Sequence, residues 1–276
     1  MSVVVTAPGL YEIPELEYHA DPVEGGSFSS TQAKQILKSP AHLRSYLDTP
    51  RVEKSVFDFG HIVHAGVLGV GLEVEVLDFP DYKTKAAQVA KAEAYAAGKV
   101  PMIERDYAPA RAAIAAVLEH EIAGPLFAGE GVPESSAFGI DPVTGLWLRG
   151  RFDWTTPDRV LVDLKTARDG SPRRFGRAAA DLGYDVQEAF YRHVYELATG
   201  EPARGFVFVT VESAAPHLVD VHQGDDEWRE LGGYQMRRAI DRYKRALDTG
   251  EWPGRPPIIN PLSPPPWAEF DIEVEI

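Results

Sequence analysis

A chain of 276 residues with 44% hydrophobic content is long enough to bury one large core or two small ones. Its net charge of −14 argues against a protein that coats polyanions with its whole surface, because nucleic-acid affinity rests largely on cations that neutralise phosphates. The absence of cysteine excludes disulfides, thiolate zinc sites, cysteine nucleophiles and cysteine-ligated iron–sulfur clusters, so any metal must sit on oxygen or imidazole.

No run approaches the roughly eighteen consecutive apolar residues of a membrane span, and MSVVVTAPGL lacks the basic flank and longer apolar core of a signal peptide. The expectation is a cytoplasmic protein with no membrane partner. Residues 1–26 are rich in Pro, Gly and acidic side chains with weak periodicity, and read as a loosely ordered lead-in. A single domain is expected over 27–268, with a mainly helical part (27–125), a sheet-and-helix part (126–250) and a proline-rich tail (251–276).

In SSTQAKQILKSPAHLRSYL, Ser29 or Ser30 can cap a helix, Ala33, Ile36 and Leu37 form an apolar stripe, and Pro40 interrupts and restarts it. SVFDFGHIVHAGVLG continues as a mostly apolar helix. An alanine-rich stretch from Lys83 to Ala97 and a segment from about Ala108 to His120 are amphipathic helices. The middle then changes period. SSAFGID, LWLRGRFDW, RVLVDLK, RGFVFVTVES and HLVDVHQ are short runs of β-branched or aromatic residues parted by turn signals, which predict a small, largely antiparallel sheet. Between its third and fourth strands lie two helices, one capped by Ser171 with Pro172 at its first position, the other ending at Gly200. A last helix runs from Asp226 to Leu247, before a proline-dense tail from Trp252 to Trp267. The fold class is α/β or α+β, with the helical first third as an elaboration.

Alternation in RVLVDLK sends Val160, Val162 and Leu164 to one face and Leu161, Asp163 and Lys165 to the other. If TTPDR closes a hairpin, Asp153 lies across the ladder near residue 162 or 163, where side chains are roughly 5–8 Å apart. Two carboxylates that close repel unless a cation stands between them, and hard oxygen ligands suit magnesium or manganese. Lys165 would then project beside the metal, able to hold an attacking water or offset charge on a phosphate. The bland alternative is a hairpin ending in a surface salt bridge. Asp-x-Lys alone carries no weight, since Asp81-Tyr82-Lys83 matches it too. Gln187 and Tyr191 share a helical face, His64 lies on an apolar helix, and Glu134 leads into the strand before the hairpin.

Taken in order, His64, Glu134, Asp153, Asp163-x-Lys165 and Gln187-x-x-x-Tyr191 resemble the PD-(D/E)xK nuclease superfamily in its RecB-like branch, and within it the RecE-type exonucleases of phages and prophages. FGHIVHAGVL, ESSAF, LRGRFDW, VDLKTA and GYDVQEAFY carry the likeness, which spans roughly residues 27 to 268. Two details depart from the usual pattern: Phe152-Asp153 stands where Pro-Asp is common, and Asp rather than Glu precedes the lysine.

The resemblance implies a mixed central sheet flanked by helices and a metal-dependent exodeoxyribonuclease that digests linear duplex DNA 5′→3′, leaving 3′ tails for recombination by strand annealing. It implies Mg2+, or Mn2+, held by His64, Asp153, Asp163, the Leu164 carbonyl and Glu134. Lys165 would orient water, and Gln187 and Tyr191 would position Lys165 or the DNA. Arg149, Arg151, Arg173, Arg174 and Arg177 crowd the segments around this site as a candidate DNA-binding track. The implied partners are double-stranded DNA ends, a RecT-like annealing protein and further copies of the chain in a tetrameric or trimeric ring. Two alternatives stay open: another DNA nuclease of this fold, single-strand, structure-specific or helicase-associated, and a catalytically inactive DNA-binding protein of the same fold.

Overall fold

The computed structural model describes residues 3–49, 59–71 and 73–264. Residues 55–58 of the expected apolar helix, and the tail from 265 to Trp267 and beyond, lie outside the described residues. Among those described, no helix is long and apolar enough to cross a membrane.

Residues 3–26 of the segment expected to be a loose lead-in are packed on the sheet. β1 (Gly9–Tyr11) pairs antiparallel with β5 (Val132–Ile140), and α1 (Glu15–Ala20) follows it. Val5, Ile13, Tyr18 and Val23 are buried against Phe138 of β5. These apolar residues lack helical or strand period because they anchor on an existing sheet, with Val5 and Val23 bridged to each other. The polar residues between them are also engaged, as where Asp21 Oδ2 accepts the Ser27 N–H at 2.7 Å.

β2 (Phe28–Ser29) runs straight into α2 (Ser30–Lys38), whose start is set by a capping box in which Gln32 Oε1 accepts the Ser29 N–H at 2.8 Å. Ser39 caps α3 (Pro40–Asp48), with Pro40 in the first turn where its missing N–H costs nothing. After α4 (Phe59–Leu68) the chain forms a separate parallel pair, β3 (Val74–Leu77) and β4 (Val100–Ile103), joined through α5 (Lys85–Ala96). α6 (Glu104–Glu119) and α7 (Ala123–Phe127) lead to β5, β6 (Trp147–Thr155) and β7 (Val160–Ala167). α8 (Pro172–Asp181) and α9 (Tyr184–Thr199) then carry the chain to β8 (Gly205–Glu212), β9 (Val219–His222) and α10 (Asp226–Thr249).

The main sheet has the order β1-β5-β6-β7-β8-β9, with β2 beside β6. It is larger and less antiparallel than expected from the strand signals. The two-helix crossover α8–α9 returns the chain so that β8 lies parallel to β7, a connection hairpins cannot make. One face packs Phe152, Leu161, Phe206 and Phe208 against Ile36, Phe190 and Ile240 of α2, α9 and α10. The other face packs Trp154, Val162, Leu164 and Val209 against Ile62, Val63 and Val117 of α4 and α6. The helical first third contributes cover to both faces, α2 to one and α4 and α6 to the other, because a sheet apolar on both faces must be shielded on both. α4 sits close on α6: a Cβ on Gly66 would lie 2.3 Å from Ile114 Cδ1, so a larger residue there would require the Ile114 side chain to move. That packing places α4, and His64 with it, over the sheet.

Candidate active site

β6 and β7 pair at only two positions, Trp154↔Val162 and Thr155↔Leu161, and then part. One step further Asp153 would face Asp163, and there a carboxylate replaces the ladder: Asp153 Oδ2 accepts the Leu164 N–H at 2.7 Å. On the other side of β6, Glu134 stands between the pairs Pro133↔Trp154 and Ser135↔Phe152, opposite Asp153. Its φ of 51° is left-handed, a conformation costing a non-glycine residue about 1–3 kcal/mol and concentrated at functional sites. His64 reaches in from α4, with Nε2 3.1 Å from Asp153 Oδ2 and Nδ1 3.4 Å from Glu134 Oε1.

Strand parity behaves as RVLVDLK predicts. Val162 and Leu164 join the core under α4, while Asp163 and Lys165 share the opposite face and form an ion pair. Asp163 is only 2% exposed, so its charge needs local compensation. Beyond Lys165, it receives the Gln187 Nε2–H at 2.7 Å on Oδ1. The Lys165 ammonium also lies 5.0 Å from the centre of the Tyr184 ring. Gly60, His61 and His64 of α4, Leu164, Lys165 and Thr166 of β7, and Tyr184 of α9 line an open cleft of about 420 Å³. A hollow of about 530 Å³ near Val3 and Glu24 is larger. It lacks the convergent donors, which among the described residues meet only at His64, Glu134 and Asp153.

Electrostatics separates the two aspartates. Burial pushes the Asp163 carboxyl up to about 6, and repulsion from Asp153 adds to this against the pull of Lys165. Burial opposes the charge on Asp153 as well, yet the hydrogen bond and charge of His64, with Lys165 and the Leu164 N–H, bring it below the usual carboxylate value. Burial and then Asp153 raise Glu134, despite His64 and Arg151. Burial lowers the His64 imidazole, but Asp153, Glu134 and Asp163 outweigh it and leave its pKa raised. Burial also opposes the charge on Lys165; Asp163 and Asp153 reverse that and hold it protonated well above the ordinary lysine value.

His64, Glu134 and Asp153 each offer a ligand atom within 4.8 Å of the others. Two carboxylates and an imidazole, part-exposed and with no thiolate, fit a hard or borderline divalent cation. Asp163 is not one of that trio; its Oδ1 accepts from Gln187 and its Oδ2 faces the Lys165 ammonium. Six expected residues therefore converge as His64, Glu134, Asp153, Asp163, Lys165 and Gln187, with Leu164 between the aspartates.

Tyr191 does not join them. Its ring meets Phe152 edge-on at 5.2 Å between centroids, and a Cβ on Gly150 would lie 3.2 Å from it. Gln187 serves Asp163 rather than Lys165.

Two of the five arginines are not a phosphate track. Arg149 is buried and pairs with Asp21, donating to the Ser27 hydroxyl at 2.8 Å. Arg151 pairs with Glu134 and donates to Ile13 O at 2.9 Å and Ser136 Oγ at 2.7 Å, so it braces a candidate ligand instead. Both alternate inward because the ordered N-terminal segment covers that face. Arg173, Arg174 and Arg177 are exposed on α8. His61 and Tyr184 were missed, although each lies three residues from a predicted site residue on the same helix, a spacing that shares a face.

A family model described as "PDDEXK-like domain of unknown function (DUF3799)" matches residues 29–260. No curated protein matches the sequence. Among solved structures, a "Putative exonuclease" from Eubacterium rectale superposes with a TM-score of 0.59 at 14% identity, covering 96% of this chain and 100% of its own. SSO0001 covers 77% of this chain and 83% of its own at 14% identity, with a TM-score of 0.30 that supports no inference. At such identities the likeness speaks to fold alone.

Proposed function

Because the chain belongs to the PDDEXK-like family DUF3799, we propose that it is a divalent-metal-dependent nuclease, and more specifically an exodeoxyribonuclease that digests linear duplex DNA from 5′ ends. The observation that carries this reading is the parting of β6 and β7. It sets the His64, Glu134 and Asp153 donors beside an Asp163–Lys165 pair, with His64 and Lys165 lining an open cleft. Bound there, Mg2+ or Mn2+ would supply Lewis-acid polarisation of a phosphate oxygen and lower the pKa of water.

The chain's own residues supply the rest. Lys165 stays protonated, so it acts as a donor to a phosphate oxygen and not as a base. Asp163 holds that ammonium in place, and Arg151 holds Glu134. Hydrolysis adds water across the P–O3′ bond, leaving a 5′-phosphate on one fragment and a 3′-hydroxyl on the other. The exonuclease description of the Eubacterium rectale structure supports action at a strand end.

Linear duplex labelled at the 5′ or the 3′ end is the test, run beside a closed circle. Immediate release of the 5′ label with manganese, silence with chelator and an intact circle are the expected results. Nicking of the circle would replace the exonuclease with an endonuclease of the same fold, and silence in every metal would leave a DNA-binding protein.

α8 offers a place for the DNA backbone. Arg173 and Arg177 share a helical face, and Arg173, Arg174 and Arg177 are solvent-exposed, giving a local basic surface on an acidic chain. Arg174→Ala with Arg177→Ala is expected to weaken duplex binding and to reduce the slope of log affinity against log salt by about two, one for each phosphate no longer neutralised. An unchanged slope in fluorescence-anisotropy titrations would remove α8 from the track.

A further inference from the structure

Lys34, one helical turn into α2, reaches the site from 153 residues away in sequence to donate to Gln187 Oε1 at 3.2 Å. The same amide's Nε2 donates to Asp163 Oδ1 at 2.7 Å. Gln187 is 6% exposed and Asp163 2%, so neither end of this amide has water as a ready alternative. We propose that Lys34 is a positioning residue of the hydrolytic site, acting through Gln187 to fix the Asp163 carboxylate; this rests on the nuclease reading above.

The physical reason lies in donor and acceptor types. An ionised carboxylate only accepts and an ammonium only donates, so a glutamine between them has one allowed orientation of its two amide ends. Without Lys34, the buried Gln187 Oε1 loses its donor and the side chain one of its two anchors, so the Nε2–H that Asp163 accepts is held less firmly. Asp163 then loses one of the groups that set its direction, and with it the placement of Lys165.

Burial first, and then the Lys165 charge, draw the Lys34 ammonium down to about 8, so the cation persists at neutral pH. Lys34 also lies 5.5 Å from the centre of the Tyr184 ring that Lys165 approaches at 5.0 Å. The two ammoniums thus share one aromatic support, and α2 is fastened to the site by side chains as well as by its apolar face.

Calorimetric titration with manganese chloride and steady-state cleavage of linear duplex, on the full chain, test the relay. Asp163, strand neighbour of the candidate ligand Asp153, is taken as a further ligand once a cation binds, and partners of metal-site carboxylates typically affect affinity or activity by about 10–100-fold. Lys34→Met is expected at the low end, with manganese binding and kcat each reduced about tenfold, KM nearly unchanged and the metal-free melting temperature within ~3 °C of wild type. Lys34→Arg, also donor-only, should recover most of both losses. In a Gln187→Met background, Lys34→Met should add nothing further, since both act through one path.

Additive losses in that cycle would overturn the relay, as would a raised KM with unchanged kcat, which would mark a direct interaction with DNA. If the wild-type protein cleaves no DNA, the nuclease reading fails, and the manganese cycle still decides whether Lys34 acts through Gln187.

Discussion

Lys165→Met should cut DNA cleavage by about 10²–10³-fold, the loss typical of removing one preorganised donor to developing negative charge. The same change should also weaken the fold, for a separate reason. Asp163 is 2% exposed and its nearest compensating charge is the Lys165 ammonium. Breaking a buried pair from one side costs about 3–5 kcal/mol, whereas neutralising both partners together costs little.

The pH dependence follows with a definite sign. Burial, then Asp153, already raise the folded carboxyl of Asp163 to about 6, and loss of Lys165 raises it further. A carboxyl whose folded pKa exceeds its unfolded one binds extra protons in the fold. Stability therefore falls as pH climbs from the ordinary carboxylate value through the folded one, and is flat above it. Urea unfolding of Lys165→Met should show a larger deficit from wild type at pH 8 than at pH 5. Asp163→Asn added to Lys165→Met should restore stability but not cleavage. Wild-type cleavage by Lys165→Met would end the catalytic assignment; an unaltered unfolding midpoint would end the buried-pair account.

Manganese should stabilise the protein, by about 2.7 kcal/mol at a concentration one hundred times its dissociation constant. The effect should grow between pH 6 and pH 8. A ligand imidazole must be neutral and a ligand carboxyl ionised, yet the fold raises the pKa of both His64 and Glu134. Without metal, the raised His64 favours folding below its ordinary pKa, and that contribution fades as pH rises through the raised value. Metal-free stability is thus declining in the window where metal binding strengthens. Thermal unfolding with manganese or chelator at the two pH values measures both trends. Asp153→Ala should abolish the metal-induced shift, and a shift that survives it would place the cation elsewhere.

Much of this site was legible because a strand reports side-chain direction through a period of two. That period put Asp163 and Lys165 on one face, and the turn at TTPDR put Asp153 on the neighbouring strand. The capped start of α2 and the glycine end of α9 were readable for the same local reason, since caps are satisfied by residues three or four positions away. Arg149 and Arg151 misled because a charged residue beside a site looks the same whether it faces DNA or a carboxylate. Only the packing of residues 3–26 against the sheet turned Arg149 to Asp21 and placed Arg151 between Glu134 and Ile13.

By itself, the amino-acid sequence determined that any metal is bound through oxygen or nitrogen, that a hairpin carries the acid–lysine pair, and that helices surround a sheet. These follow from composition and from interactions between near neighbours in the chain. The tertiary structure decided which charges meet. It brought His64 from α4 onto Asp153 and Glu134, opened the wedge between β6 and β7, set the Asp163 carboxylate against Gln187, and added Lys34 from α2. Partners far apart in the chain are chosen by how helices cover the two faces of a buried sheet, and no local period encodes that choice.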